Sequence, residues 1–265
     1  MSDYKQSVIN LFNSRTSYDT EGKKQPREAK KLLATVKVKP EYSILDLACG
    51  TGLLTIPAAQ IATTGSVIGV DFSQGMLAQA KEKITAAKIN NLELIEADID
   101  SVEFSAETFD VIFCCSSIVF MVDVSVVIDK CYRWLKPRGY LAFTTPYKTA
   151  YLADIHVRLC RELFDIDLPH ITRPLWTPKK CRSLLQQSGF SNIQIEIDRT
   201  KRLNQSNFAM AWRGQNFYPR GNPLANLSDV QRELLLVEYR KAIEPELTDD
   251  GVWQDSTTLY VQARK

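Results

Sequence analysis

The run Ser43-Ile-Leu-Asp-Leu-Ala-Cys-Gly-Thr-Gly-Leu-Leu-Thr55 reads as an apolar strand that closes on an acid and opens, through Gly50 and Gly52, into a helix. A strand, a glycine turn and a helix start make a cradle for a cofactor, because glycine takes positive φ and lets a ligand approach the main chain. The acid constrains which cofactor. In a dinucleotide site this turn faces a pyrophosphate, and a carboxylate at Asp46 would oppose it at a cost of roughly several kcal/mol in a half-buried crevice. An ammonium group suits the position instead. The spacing agrees: after Gly50-x-Gly52 a dinucleotide fingerprint needs a third small residue where Thr55 stands, so the nicotinamide reading weakens.

Two further strands end in the same way. Ser66-Val-Ile-Gly-Val-Asp71 closes on an acid 19 residues after Gly52, near the separation of about 20 at which an acidic residue meets ribose hydroxyls. Leu92-Glu-Leu-Ile-Glu-Ala-Asp98 leads into Asp98-Ile99. Read alone, Asp98 is either part of this set or a solvated strand-end cap.

The segment Asp46-Leu-Ala-Cys-Gly-Thr-Gly52 resembles motif I of the class I S-adenosylmethionine-dependent methyltransferases, with Ala48 in place of the first glycine of their pattern. Within that family the chain resembles the small-molecule group that includes ubiquinone and menaquinone biosynthesis enzymes. The resemblance covers residues 40 to 200 well and the closing strand more loosely. It implies an α/β fold: a Rossmann-like three-layer sandwich whose seven-stranded, mostly parallel sheet has an antiparallel final strand beside the fifth. It also implies the cofactor S-adenosyl-L-methionine, leaving as S-adenosyl-L-homocysteine. Asp46, Ala48, Gly50, Thr51 and Gly52 would meet its methionyl end, Asp71 its ribose, and Phe72, Met76, Asp98 and Ile99 its adenine. Cys115 and Ser116 would lie beside the reacting sulfur at the end of the fourth strand, and Tyr18 would reach over the cofactor from an N-terminal loop. Phe72 and Met76 are equally explained as helix-on-sheet packing, and Tyr18 as a surface anchor of its loop.

The pattern of the chain matches that architecture. Apolar runs at 43–48, 66–71, 92–97, 109–115, 139–145, 192–199 and 257–263 alternate with helical periodicity, as in a parallel sheet covered by helices. Ser73 is placed to cap a helix bearing Met76, Leu77, Ala80 and Ile84. Val127, Cys131 and Trp134 mark another, which Leu135-Lys-Pro-Arg-Gly139 ends. Pro178 falls in the first turn of a third, stopped by Ser188-Gly189-Phe190. With 265 residues, 45% of them hydrophobic, the chain suits one domain over 1–265. Its core is expected at 38–146, with substrate-cap insertions at 147–175 and 201–247, after strands five and six. An N-terminal lid over 1–37 carries Val8, Leu11 and Phe12 on one helical face, then a polar loop from Arg15 to Arg27.

A formal net charge of +2 lacks the dense basic field of a phosphate-tracking protein, so nucleic acid is not the expected partner. Lys179-Lys180-x-Arg182 and Arg199-x-Lys201-Arg202 read as solvated faces. No run approaches the roughly 18 apolar residues of a membrane span and no signal segment opens the chain, which points to a soluble cytoplasmic protein, monomeric or homodimeric. Six cysteines without C-x-x-C spacing read as reduced thiols, and two histidines without a cluster give no metal site.

A general base, if one is used, would be His156 or His170, whose ordinary pKa lies near neutrality; the plainer reading is two lid histidines without chemistry. Tyr147, Tyr151, Trp176, Phe208, Trp212, Phe217 and Tyr218 gather in or beside the insertions, suggesting either an apolar, aromatic-lined pocket for a small-molecule acceptor or simple lid packing. The leading function is methyl transfer to an oxygen, nitrogen or carbon of a metabolite. A non-catalytic sensor of the same cofactor stays open, whereas nucleic-acid methylation is disfavoured because Cys114-Cys-Ser-Ser117 is no Asn-Pro-Pro motif and no Pro-Cys nucleophile occurs.

Overall fold

Side chains alternate across a strand, and in the middle of this protein both resulting faces are apolar, which forces cover on both sides. In β1 (Ser43–Leu47) Ile44 packs on one side, while Leu45 and Leu47 pack on the other. In β4 (Phe109–Cys114) Val111 and Phe113 join Ile44, while Ile112 and Cys114 join Leu45. The computed structural model describes residues 3–204, 218 and 221–265. The main sheet runs β3 (Leu92–Glu96), β2 (Ser66–Asp71), β1, β4, β5 (Leu135–Pro146), β10 (Thr258–Arg264), β6 (Ser191–Asp198). Neighbours up to β5 are parallel, and β10 lies antiparallel between β5 and β6. The seven strands and the reversed last one match the sequence reading.

One face is covered by α2 (Lys24–Thr35), through Ala29 and Leu32, and by α3 (Thr55–Ile61), through Ala58 and Ala59. The other is covered by α5 (Val124–Trp134) and α7 (Pro178–Gln187), with Trp134 fully buried. Local chemistry sets the helix ends as expected. The Ser73 hydroxyl accepts the amide of Met76 at 3.2 Å and caps α4 (Gln74–Ala87), whereas Thr177 caps α7 with Pro178 at its first position.

Several elements differ from the sequence reading. Leu135-Lys-Pro-Arg-Gly139 does not lie outside the strand: β5 begins at Leu135, which pairs with Phe109, and the pairing then shifts register to Val111 and Tyr140. Arg138 sits at φ 69, so the segment is an irregularity inside β5, held because the Leu135 side chain is fully buried. The N-terminal loop is shorter than expected, since α2 already starts at Lys24. In α1 (Asp3–Asn13) the inner stripe is Val8, Ile9 and Phe12, and Leu11 is 40% exposed, so it does not belong to that face.

The insertions supply a third core. After β5 come a 3₁₀ turn (Ala150–Leu152) and α6 (Ala153–Phe164); after β6 come β7 (Lys201–Asn204) and α8 (Asp229–Ala242). Leu159 and Cys160 of α6 pack with Leu235 and Tyr239 of α8, together with Tyr218 and Val252. A small antiparallel sheet, β7–β9–β8, with β8 at Leu247–Thr248 and β9 at Gly251–Asp255, has no counterpart in the sequence reading. β8 has two residues, and β9 buries Val252 and polar Gln254 while exposing Trp253, so neither shows an apolar alternation in sequence. Among the described residues no helix is long and apolar enough to cross a membrane.

Candidate functional site

The carboxyl ends of β1, β2, β3 and β4 open into one cavity. Of the residues expected to hold a cofactor, Tyr18, Asp46, Ala48, Gly50, Thr51, Asp71, Phe72, Met76, Asp98, Ile99, Cys115 and Ser116 all line it. Gly52 does not. At φ 82 it turns the chain into α3, and a Cβ there would meet Ile56 at 2.9 Å. Gly50 has the complementary property: at φ 55, an added Cβ would find nothing within 4 Å, so open space faces the main chain at the glycine turn. Ala48 also takes positive φ (55), the conformation for which the resembled motif uses glycine.

Asp46 is 1% exposed. Its Oδ2 accepts the Thr55 hydroxyl at 2.5 Å, and its Oδ1 is buried without a hydrogen-bond partner among the described residues. Burial pushes its pKa up to about 7; the Thr55 hydrogen bond opposes this and the nearby Asp71 charge adds to it. Asp71 Oδ2 accepts the Gly50 amide at 2.9 Å and Oδ1 the Ser73 amide at 2.8 Å. Burial raises its pKa too, against those backbone donors. Each of its oxygens keeps a lone pair for a further donor. Asp98 Oδ1 accepts the amide of Asp100 at 3.0 Å, and its Oδ2 meets the ammonium of Lys5, which also contacts Asp100 at 2.7 Å.

The N-terminal segment closes over this cavity. Asn13 Oδ1 accepts the Ser73 hydroxyl at 2.7 Å and the Gly75 amide at 3.0 Å, docking the end of α1 on the start of α4. Asp19 accepts the Thr51 hydroxyl at 2.5 Å and pairs with Lys83 at 2.6 Å. This pins the loop at the residue after Tyr18, so Tyr18 is held in the wall by its neighbour. Burial pushes the Tyr18 hydroxyl up to about 12, so it stays a protonated phenol at neutral pH.

A second cavity adjoins the first and shares Phe12, Tyr18, Gln25, Ser116 and Phe120 with it. At the junction stands Glu28 of α2, 4% exposed and overlooked in the sequence reading. It accepts hydrogen bonds from the hydroxyls of Ser116 and Thr258, the latter at 2.6 Å, and lies 3.4 Å from Lys24 Nζ. Ser116, at φ 58, donates its amide to Thr144 Oγ1 at 2.7 Å. The only sequence signal for Glu28 was the buried stripe of α2, whose polar composition concealed it.

The histidines separate. His156 of α6 is 1% exposed, with its ring 6.2 Å from that of Tyr239, and it lines neither cavity. His170 does line the second, but its Nδ1 accepts the Thr172 amide at 3.3 Å and lies 2.9 Å from the Thr172 hydroxyl. Burial, with the charges of His156 and Arg173, pulls its pKa down to about 4, so the ring is neutral with its δ lone pair occupied.

The aromatic lining was anticipated only in part. Tyr151 lines the second cavity, while Trp176 lies under Arg173 and Lys180, Tyr147 packs on the sheet core, and Tyr218 sits in the third core. Phe208, Trp212 and Phe217 lie outside the described residues. Arg202, read from sequence as part of a solvated face, lines this cavity.

A sequence model of a methyltransferase domain matches residues 44–139, the stretch that supplies most of the first cavity. A demethylmenaquinone methyltransferase of Lactobacillus johnsonii is 30% identical over 182 residues, which cover 63% of this chain and 75% of that protein. The chain belongs to the class I S-adenosylmethionine-dependent methyltransferases. An aklanonic acid methyltransferase, DauC of a Streptomyces strain, is 30% identical over 149 residues, covering 55% of this methyltransferase and 67% of that one. The solved structure of YcgJ from Bacillus subtilis has the same fold, with a TM-score of 0.64 at 14% identity over 90% of this chain and 98% of that one. The nicotinamide alternative falls away with this assignment. S-adenosylmethionine is the cofactor, and two features of the first cavity fit it: the orphaned, buried Asp46 Oδ1 that a cation would satisfy, and the open main chain at Gly50.

Proposed function

We propose that this methyltransferase holds S-adenosylmethionine in the first cavity and a small-molecule acceptor in the second, with transfer at the junction formed by Ser116, Tyr18 and Glu28. The observation that carries the reading is Asp46, a carboxylate removed from water with one oxygen unpaired. Such a group is unstable as an anion until a cation arrives, and the cofactor's amino group is one. Asp71 would accept the ribose hydroxyls, Asp98 the adenine amino group, and Phe72, Met76 and Ile99 would pack the ring.

When bound, the cofactor supplies a methyl group already activated by its sulfonium charge. The chain's own residues then bind, orient and exclude water. Tyr18 and Phe12, held by Asp19 and Asn13, cover the site. Glu28 is the proton acceptor: as the Ser116 hydroxyl takes a proton from the acceptor, it passes its own to the Glu28 carboxylate it already faces. Neither histidine suits that role, His156 because it is remote from both cavities and His170 because its lone pair is engaged. Relatives named for demethylmenaquinone and aklanonic acid support a small metabolite as the acceptor. A reducing, cytoplasmic setting suits the six unbridged cysteines, five of them buried.

Calorimetric titration of the full chain with S-adenosylmethionine and S-adenosylhomocysteine tests the assignment. Both should bind, and Asp71→Ala should weaken binding by about 2 kcal/mol or more, as loss of a charged acceptor does. Unchanged affinity in that variant would overturn the ribose role, and the absence of any binding would overturn the site.

A further inference from the structure

The second cavity is charged in a way that methyl transfer alone does not require. Among the described residues its wall carries the cations Arg15, Lys24 and Arg202 against one carboxylate, Glu28. Arg15 is paired with Glu21 outside the wall, and Lys24 lies 3.4 Å from Glu28. Arg202, on the exposed β7, has no ion pair among the described residues. Burial works against the charge of Lys24, but the neighbouring Tyr151 and Glu28 outweigh it and raise its pKa, so it stays an ammonium.

Two of these cations converge on one aromatic ring. Lys24 Nζ lies 4.7 Å from the Tyr151 ring centroid and donates to its hydroxyl, and the Arg202 guanidinium lies 5.6 Å from the same centroid. Like charges brought together repel, and an anion between them reverses the sign of that energy. Tyr151 takes φ 58, with Leu152 following at φ 59. Two successive bulky residues in the left-handed region are strained and occur where surrounding structure enforces them, commonly at ligand sites. A separate observation points into the same space. Thr145 lines the cavity, is fully buried, and its hydroxyl has no hydrogen-bond partner among the described residues.

We propose that the acceptor carries an anionic group, a carboxylate or a phosphomonoester, which is bound between Lys24 and Arg202 beside Tyr151 while its methylated atom faces Ser116 and Glu28. The inference rests on the second cavity being the acceptor site. Arg202 and Lys24 are then specificity residues, touching the acceptor's charge and not the transferred group.

The test uses the full chain saturated with S-adenosylhomocysteine and three probes: 4-hydroxybenzoate, phenyl phosphate and the neutral 4-hydroxybenzamide, followed by saturation-transfer NMR titration. At least one anion should bind tenfold or more tightly than the amide, with the advantage shrinking as salt rises, and the better of the two identifies the group. Arg202→Gln, at an exposed strand position, should reduce that advantage about tenfold while leaving S-adenosylhomocysteine affinity unchanged, which also shows that the variant is folded. Equal binding of the amide, no binding by either anion, or an anion preference that survives Arg202→Gln each overturns the proposal with cofactor binding intact. Failure of S-adenosylhomocysteine itself to bind is a different result: it removes the cofactor assignment, and this inference with it.

Discussion

Asp46 and Asp71 end adjacent parallel strands on either side of the glycine turn, and the charge of Asp71 adds to the burial that holds Asp46 near a pKa of 7. Two buried carboxylates at one turn are unfavourable in the free protein and become favourable when a cation binds. Asp46→Asn should therefore have opposite effects on stability and binding. Between about pH 4 and 7 the unfolded chain has released the Asp46 proton that the folded protein still holds, so this group makes stability fall as pH rises, by about 4 kcal/mol in all. The variant should melt at a higher temperature at pH 8 and bind S-adenosylmethionine at least thirtyfold more weakly. At pH 6 the native protein should release a proton on binding, seen as a calorimetric heat that varies with buffer. A lower melting temperature in Asp46→Asn would contradict this account.

Ala48 at φ 55 carries a Cβ in a conformation that disfavours it by roughly 1–2 kcal/mol. Glycine removes that strain but widens the unfolded ensemble at a cost of about 0.4–1 kcal/mol. Ala48→Gly should stabilise the protein by up to about 1 kcal/mol in urea denaturation, whereas Ala48→Val should destabilise it by more than that. A destabilised glycine variant would mean that the Ala48 methyl contributes packing that outweighs its backbone strain.

Glu28→Gln preserves shape and keeps one acceptor oxygen for either Ser116 or Thr258, which meet different oxygens of Glu28, while its NH2 donates to the other hydroxyl and cannot take up a proton. With any acceptor that the protein methylates, kcat should fall at least a hundredfold while S-adenosylmethionine affinity stays within twofold. An unchanged kcat would reduce Glu28 to a structural link between α2 and β10.

The first cavity was legible because its signals are local. A strand, its terminal acid and its glycine turn are contiguous in sequence, and β1, β2 and β4 each bring their carboxyl ends to it within a few residues of an apolar run. The second cavity was not. Glu28 reaches Ser116 and Thr258 across 88 and 230 positions of chain, and the pairing depends on how α2 lies on the sheet. Arg202 looked like solvent-facing charge because β7 is four residues long and pairs only with β9, itself unrecognised. Lys5 was invisible for the same reason: its meeting with Asp98 and Asp100 is fixed by the docking of Asn13 on α4, a contact with no sequence pattern. Histidine near neutrality is a sound default for a base, but burial removed His156 from the site and took the lone pair of His170.

His170 supplies a pH dependence of the opposite sign to Asp46. Its folded pKa of about 4 lies below the ordinary 6.5, so between those values the unfolded chain binds a proton that the folded protein refuses. Stability contributed by neutral His170 is thus full above about pH 6.5 and is lost as pH falls towards 4, by about 3 kcal/mol. Over the same interval Asp46 gains stability on acidification, and the two slopes largely offset each other in the native protein. Difference curves against the native protein separate them. In urea denaturation from pH 4 to 8, His170→Gln should lose most stability relative to the native protein at pH 8 and converge on it, or exceed it, at pH 4. Asp46→Asn should show its largest gain at pH 8 and none at pH 4. A difference curve for His170→Gln that is flat across that interval would show that the ring ionises as freely in the folded protein as in the unfolded chain, and would reopen it as a proton acceptor beside the second cavity.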